Sequence, residues 1–157
     1  MPELPDVTVY VEALAERIVG QRYLRGMIRG PFLLRSVAPP LAAAEGRTVR
    51  QVRRVGKRIA IGLEGDLWLV LHLMIAGRLH WKPVSAKLGA KSLAALEFSS
   101  GTLSLTEAGS QHRASLHVAA GEAGLESLDA GGIEVLDADL DTFAATLQSA
   151  NHTLKRA

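Results

Sequence analysis

The sequence predicts a mainly β fold: an eight-stranded β-sandwich with one α-helix at the N-terminus and another near the C-terminus. Eight short runs of alternating apolar and polar residues follow one another closely, and turn residues such as those at 64–66 and 99–101 separate them. Helical periodicity is confined to the two ends of the chain. Short strands at such spacing are typical of sandwiches and barrels rather than of alternating β and α units.

The first predicted element is a helix over residues 5–19. Pro5 suits the first turn of a helix, where its missing N–H is not needed. Apolar residues recur at helical spacing and would form one buried face; they are Val7, Val11, Leu14 and Ile18. Gly20 is placed to end the helix, since glycine adopts the left-handed conformation of a C-terminal cap without strain.

Alternating runs then predict the strands. These are residues 23–28, 49–55, 58–63, 67–73, 78–81, 95–98, 103–106 and 114–118. Residues 119–132, rich in Ala and Gly, predict a surface connection with one helical turn. Asp139 or Asp141 is a suitable N-cap for a closing helix that ends at Leu147. Residues 1–150 therefore form one predicted domain.

Composition restricts the class of protein. With 157 residues and 48% apolar content, the chain can bury one core. It has no cysteine, which excludes disulfides and cysteine-based zinc sites.

His112 and His117 are five positions apart, which puts them on opposite faces of a strand, so we expect no metal site. Without a basic leader or an apolar run of about 18 residues, we expect a soluble intracellular protein and no membrane partner.

Charge is distributed unevenly along the chain. Residues 1–60 contain eleven basic and five acidic side chains, whereas residues 119–150 contain seven acidic side chains and no basic one. A positive field on one side of the molecule suits a polyanion such as DNA. The alternative is a solvated arginine-rich face that reflects overall composition, because arginine strongly outnumbers lysine.

The N-terminus offers a distinct chemistry. Removal of Met1 would leave Pro2 with a free secondary amine, and α-amino groups have a reference pKa of about 7.7–8.0. Such an amine attacks an aldehydic carbon to give an iminium, a covalent intermediate of the Schiff-base kind. Glu3 would lie near that carbon and could transfer protons. The alternative is that Pro2 and Pro5 only stiffen an N-terminal arm.

Three segments together resemble one family. They are residues 2–7 (PELPDV), 55–58 (VGKR) and 71–79 (LHLMIAGRL). In order and spacing, these segments are similar to the N-terminus, the lysine turn and the His-Leu-Gly-Met-Ser-Gly segment of the family that comprises the formamidopyrimidine-DNA glycosylases and the endonuclease VIII-like enzymes. Leu4 favours the formamidopyrimidine branch. The resemblance covers essentially the whole chain and implies a bifunctional DNA glycosylase and lyase that flips a damaged base out of the duplex.

The resemblance also implies catalytic roles. Pro2 would be the nucleophile, Glu3 the acid and base at the sugar, and Lys57 a cation that contacts a phosphate or the base. Asp6 stands where the family has Glu and would help to organise the pocket. Taken alone, Lys57 is better explained as a solvated hairpin lysine.

Further residues are candidates for DNA contact: Arg54, Arg58, His72, Met74, Ile75 and Arg113. Ile75 and Met74 would supply the apolar wedge that fills the space of the flipped base, and Met74 stands where the family has Gly. Arg113 is the only arginine in the loop corresponding to Asp-Pro-Arg-Arg-Phe-Gly. Taken alone, His72 is better explained as a buried structural residue. We expect Pro2, Lys57, His72 and Arg113 to converge on one groove and the acidic segment 122–141 to lie away from it.

The predicted function is removal of oxidised purines in base-excision repair through a Schiff base at Pro2. The resemblance implies double-stranded damaged DNA as partner, a monomer, no cofactor within this chain, and a bacterial cytoplasmic location at the nucleoid. Residues 151–157 would begin a linker to the family's helix-two-turn-helix and zinc-finger domain. The alternatives are a non-catalytic or vestigial DNA-binding module with the same fold and an unrelated β-sandwich interaction protein.

Overall fold

The structure is a computed structural model that describes residues 2–84, 86, 88–109 and 111–149. Its elements are α1 (Leu4–Ile18), β1 (Tyr23–Ile28), a 3₁₀ helix (Leu41–Ala44), β2 (Val49–Val55), β3 (Arg58–Leu63), β4 (Leu67–His72), β5 (Gly77–Lys82), β6 (Ser92–Phe98), β7 (Gly101–Glu107), β8 (Ser115–Ala120), α2 (Gly121–Glu126) and α3 (Leu140–Gln148). The predicted class, eight strands with flanking helices, is confirmed. The predicted linker at 151–157 lies outside the described residues.

Two four-stranded antiparallel sheets form the sandwich, in the orders β1-β6-β7-β5 and β2-β3-β4-β8. The core between them is filled by alternate residues of the strands, as period-two patterning requires. Ile59, Ile61 and Leu69 are fully buried from the second sheet. Tyr23 and Phe98 from the first sheet pack edge to face, with ring centroids 5.6 Å apart.

Helix α1 closes one side of the core. Its buried residues Val7, Leu14 and Ile18 follow the predicted apolar face, and the helix packs mainly on β2 and β3. Gly20 follows the helix with φ +79°, the left-handed conformation for which glycine is suited. The packing fixes the start of α1 close to the β2–β3 hairpin.

The outer face of the second sheet carries a smaller apolar cluster of Ala60, Trp68, Val70 and Ala119, which Leu125 of α2 covers. Helix α2 is the helical turn that the sequence predicted in 119–132. Asp139 caps α3, where its Oδ1 accepts the backbone N–H of Thr142 at 2.7 Å.

Several strands extend further than the sequence predicted. Strand β6 begins at Ser92 rather than at residue 95, and β7 spans Gly101–Glu107 rather than 103–106. Ser92 concealed the start of β6, because its buried hydroxyl, which bonds that of Ser104 at 2.9 Å, stands where patterning requires an apolar side chain. A serine whose hydroxyl is paired can therefore occupy a buried strand position that sequence patterning assigns to a loop.

Candidate active site

Strand register brings the candidate residues to one end of the sandwich. Arg58, the first residue of β3, pairs with His72, the last of β4, and His72 pairs with Ser115, the first of β8. Gly77 at the start of β5 pairs with Glu107 at the end of β7. The β2–β3 turn, the β4–β5 turn and the β7–β8 loop therefore all lie at this end.

An ion pair joins the N-terminus to the β2–β3 turn. Lys57 Nζ lies 2.8 Å from Glu3 Oε2, and the two side chains are 45% and 49% exposed. The backbone N–H of Glu3 donates to Asp6 Oδ2 at 2.9 Å, which fixes Glu3 on the first turn of α1. Pro2, the neighbour of Glu3, is buried. The structure thus brings Glu3, Asp6 and Lys57 together beside Pro2, while their catalytic roles stay predictions.

The acidic segment lies against the basic hairpin, and the expectation that it would lie away from the groove is wrong. Arg53 forms an ion pair with Glu122, and Arg54 Nη2 lies 2.5 Å from Glu134 Oε2. Arg54 Nη1 also donates to the carbonyl of Gly56 at 3.1 Å. The physical reason is local charge neutralisation, since the connection after β8 passes directly over β2. Arg54 is consequently engaged within the protein, and DNA contact by it stays a prediction.

His72 and Arg58 are half-buried on the outer face of the second sheet. Burial lowers the pKa of His72, and the positive charges of Arg58, His117 and Lys57 lower it further. The neutral imidazole of His72 is therefore favoured over the protonated form at pH 7. A negatively charged partner would be required to stabilise the protonated form.

The β4–β5 turn presents the apolar candidates. Met74 has φ +53° and is half-buried, whereas Ile75 is 55% exposed. A left-handed φ is strained for a residue with a side chain, which explains why glycine suits this position. Of the two, Ile75 is the side chain available to enter a DNA duplex.

Glu107 organises the β7–β8 loop and was not identified from the sequence. Its buried carboxylate accepts the backbone N–H groups of Arg113 and Ala114, with Oε2 at 2.9 Å and 3.1 Å. The exposed guanidinium of Arg113 donates to Gln111 Oε1 at 2.9 Å. Strand alternation could have revealed the role, because Glu107 shares the inward register of Leu103 and Leu105.

The described residues contain neither a candidate metal site nor a candidate membrane span. Across the part of the chain that the structure describes, no group of three or more His, Asp and Glu side chains is placed to hold a metal ion. Within those same ranges, no helix combines the length and the apolar character needed to cross a membrane.

Comparison with known proteins identifies the family. The sequence profile of the formamidopyrimidine-DNA glycosylase N-terminal domain matches residues 1–114. The chain is 36% identical over 105 residues to the formamidopyrimidine-DNA glycosylase of Solibacter usitatus, covering 66% of this chain and 38% of that protein. It is 40% identical over 78 residues to the enzyme of Pelobacter propionicus, covering 49% and 29% of the two chains.

Solved structures share the fold. The chain superposes on Lactococcus lactis Fpg bound to abasic-site DNA with a TM-score of 0.72 at 20% identity, covering 80% of this chain and 47% of that one. It matches MutM bound to carbocyclic 8-oxo-G DNA with a TM-score of 0.72 at 21% identity, covering 80% and 47%. The chain spans less than half the length of these relatives. It belongs to the formamidopyrimidine-DNA glycosylase family and carries that family's N-terminal domain.

Proposed function

We propose that this chain supplies the catalytic half of a DNA glycosylase and abasic-site lyase that removes oxidised purines in base-excision repair. The observation that carries the proposal is the contact between Glu3 and Lys57 beside Pro2. An amine, a carboxylate and a cation are thereby gathered at the end of the sandwich where three connections meet. Those groups suit a nucleophile, a proton-transfer group and a phosphate contact.

In this mechanism the nitrogen of Pro2, freed by removal of Met1, forms a bond to the sugar C1′ as the glycosidic bond breaks. The attacking amine loses its proton and the departing base takes one up, and the carboxylate of Glu3, the residue next to Pro2, can transfer that proton between them. The first product is a cyclic aminal, in which C1′ is bonded to both the Pro2 nitrogen and O4′. Protonation of O4′ and cleavage of the C1′–O4′ bond open the sugar ring and give an iminium at C1′, which acidifies the proton on C2′. Loss of that proton expels the 3′ phosphate, and water releases Pro2 by hydrolysis.

The proposed partner is a damaged DNA duplex, bound by a monomer at the bacterial nucleoid. Relatives of the same fold bind DNA that contains an abasic site or carbocyclic 8-oxo-G. Lys57 is available to a phosphate once its pairing with Glu3 opens, and the exposed Ile75 is available as a wedge between bases. The chain itself requires no cofactor in this mechanism.

A second candidate function is a non-catalytic DNA-binding module. The burial of Pro2 favours it, because a nucleophilic amine must reach the sugar. The two functions differ in a covalent step, which makes them separable by experiment.

Borohydride trapping on a duplex with one abasic site tests the proposal. The chain, with Met1 removal verified by mass, should yield a reduced protein–DNA adduct, and Pro2→Gly should yield far less. Glu3→Gln should lose base excision before it loses binding, since only proton transfer is removed. Glu12→Gln, at an exposed position of the same helix, is the matched control. Equal trapping by the parent chain and by a chain whose N-terminal amine is acetylated would move the nucleophile elsewhere, and no trapping of the parent chain would favour the binding module.

A further inference from the structure

The connection that follows β1 begins at the end of the sandwich that carries the candidate active site. Ile28, the last residue of β1, pairs with Ala94 near the start of β6. Ser92, the first residue of β6, pairs with Thr106 near the end of β7. The end of β1 therefore lies where the β7–β8 loop leaves the first sheet.

The same connection reaches the second sheet at that end. Leu34 bridges Leu116 of β8 in parallel, and the N–H of Leu116 donates to the carbonyl of Leu33 at 2.8 Å. Because the two segments run in the same direction, Phe32 lies beside the start of β8, next to the β7–β8 loop. Strand register thus places Phe32 at the end of the sandwich that also carries the β2–β3 turn and the β4–β5 turn.

A β-turn presents the ring of Phe32 to solvent. The N–H of Leu33 donates to the carbonyl of Gly30 at 3.1 Å, and Pro31 occupies the second position of the turn, where its ring presets the required φ. Phe32 is 71% exposed, whereas Leu33 is buried and anchors the turn. Burial of an aromatic side chain is favourable, so a rigid turn that keeps one in solvent forgoes that gain. The turn therefore holds an aromatic surface in a fixed and accessible position.

Basic side chains line the cleft beside this ring. The cleft has a volume of about 790 Å³ and its lining includes Arg29, Lys91 and His112; a smaller hollow of about 200 Å³ joins His112 to Phe32. The lining carboxylate, that of Glu107, already accepts two backbone N–H groups of the β7–β8 loop. Among the ion pairs of the described ranges, none involves Arg29 or Lys91. An exposed aromatic ring among basic side chains suits a nucleic acid, because the cations attract the backbone while the ring stacks on a base.

The other connections at this end offer no comparable ring. The β2–β3, β4–β5 and β7–β8 connections contain no Phe, Tyr or Trp, and the β7–β8 residues 108–113 read AGSQHR. Strand β4, strand β8 and residues 33–34 are successive neighbours, so Phe32 stands about 10 Å across from β4 at two strand spacings. Ile75 follows β4. Since bases rise about 3.4 Å per step along one strand, the ring and Ile75 can contact different bases of one duplex.

The chemistry of stacking restricts which base the ring can contact. A base inside an intact duplex is covered on both faces by its neighbours, so a side chain can stack on it only where a neighbour has been removed or displaced. The extrusion of a damaged nucleotide creates such an uncovered face. An abasic site creates one as well, because the base itself is missing.

We propose that Phe32 stacks on a DNA base that the extruded nucleotide leaves without a neighbour, as a contact separate from that of Ile75. The inference rests on the proposed function for the extrusion of the nucleotide. The contact makes binding selective for a duplex with a missing or extruded base, because the stacking energy is gained only where a base face is uncovered.

Binding of two duplexes that differ by one base tests the contact. Phe32→Leu should weaken binding of a duplex with one abasic site by about fivefold or more at low salt, because an aliphatic side chain does not reproduce aromatic stacking. The same substitution should change binding of the intact duplex by less than about twofold. Phe32→Tyr keeps the ring and should bind both duplexes within about twofold of the parent chain. Phe143→Leu is the matched control, since Phe143 is a partly exposed phenylalanine on α3, and it should alter neither affinity.

Tryptophan emission reports the stacking itself. In Phe32→Trp, the abasic-site duplex should quench the added indole emission saturably and more strongly than the intact duplex does. The parent chain, which contains Trp68 and Trp81, supplies the background to be subtracted. Equal quenching by the two duplexes, or none by either, would overturn the contact.

The outcomes separate this contact from the proposed function. If Phe32→Leu binds the abasic-site duplex as the parent chain does, or loses affinity equally for both duplexes, the contact is wrong; an adduct trapped at Pro2 in the same preparation leaves the proposed function standing. If Phe32→Leu loses affinity for the abasic-site duplex alone and Pro2 is not trapped, the contact stands and the proposed function fails.

Discussion

Glu107→Gln is the substitution with the largest effect expected on the loop that carries Arg113. The carboxylate of Glu107 accepts the N–H groups of Arg113 and Ala114 in a buried position. Glutamine keeps the shape but offers one acceptor oxygen and turns an NH₂ group toward a backbone donor. Hydrogen bonds to charged groups contribute about 1.5–3 kcal/mol, so the loss of one and the weakening of the other should lower the free energy of unfolding by about 2–3 kcal/mol.

Urea unfolding measures this loss, and amide hydrogen exchange at Arg113 and Ala114 locates it. Glu64→Gln is the control, because Glu64 pairs with Arg50 at the surface with 55% of its side chain exposed, and such pairs contribute about 0–1 kcal/mol. A Glu107→Gln protein whose stability stays within about 0.5 kcal/mol of the parent, or whose exchange at Arg113 is unchanged, would refute the reasoning.

Three further predictions follow from the turn, the histidines and the lysine. Met74→Gly should raise the free energy of unfolding by about 1 kcal/mol in urea titration, since φ +53° is strained with a side chain; a loss of stability would show that Met74 packing outweighs the strain. Burial lowers the folded-state pKa of His72 and His117, so stability should be full above the unfolded-state pKa of about 6.5 and fall as the pH drops below it. The double variant with Gln at both positions should show a shallower fall in thermal melts between pH 7 and 5. Lys57→Ala should weaken duplex binding and flatten its salt dependence by about one charge in a fluorescence titration, and an unchanged slope would exclude a phosphate contact.

Local patterning predicted most of the fold. The spacing of Val7, Leu14 and Ile18 and the position of Gly20 were sufficient for α1, and alternation located all eight strands because one face of each is buried. The start of β6 was less predictable, since Ser92, whose hydroxyl pairs with that of Ser104, occupies a buried position that patterning assigns to polar surface.

The candidate site was predictable only in part. The resemblance identified Glu3 and Lys57, which the structure joins in an ion pair. Ion pairs across long sequence separations, such as Arg53 with Glu122 at 69 positions, leave no local pattern. The position of the acidic segment over the hairpin was therefore wrongly predicted. Glu107 was missed for a different reason: a charged residue at an inward strand position is assigned to the surface unless the register of Leu103 and Leu105 is followed through to it.

Peptide mapping of the borohydride-trapped adduct tests the central claim most directly, because it identifies the residue that bonds to the sugar. The chain with Met1 removed is trapped on an abasic-site duplex, digested, and analysed by mass spectrometry for the peptide that carries the sugar. The account predicts that the label lies on the N-terminal peptide, at the nitrogen of Pro2. A label on the peptide that contains Lys57, or on any other lysine, would contradict it.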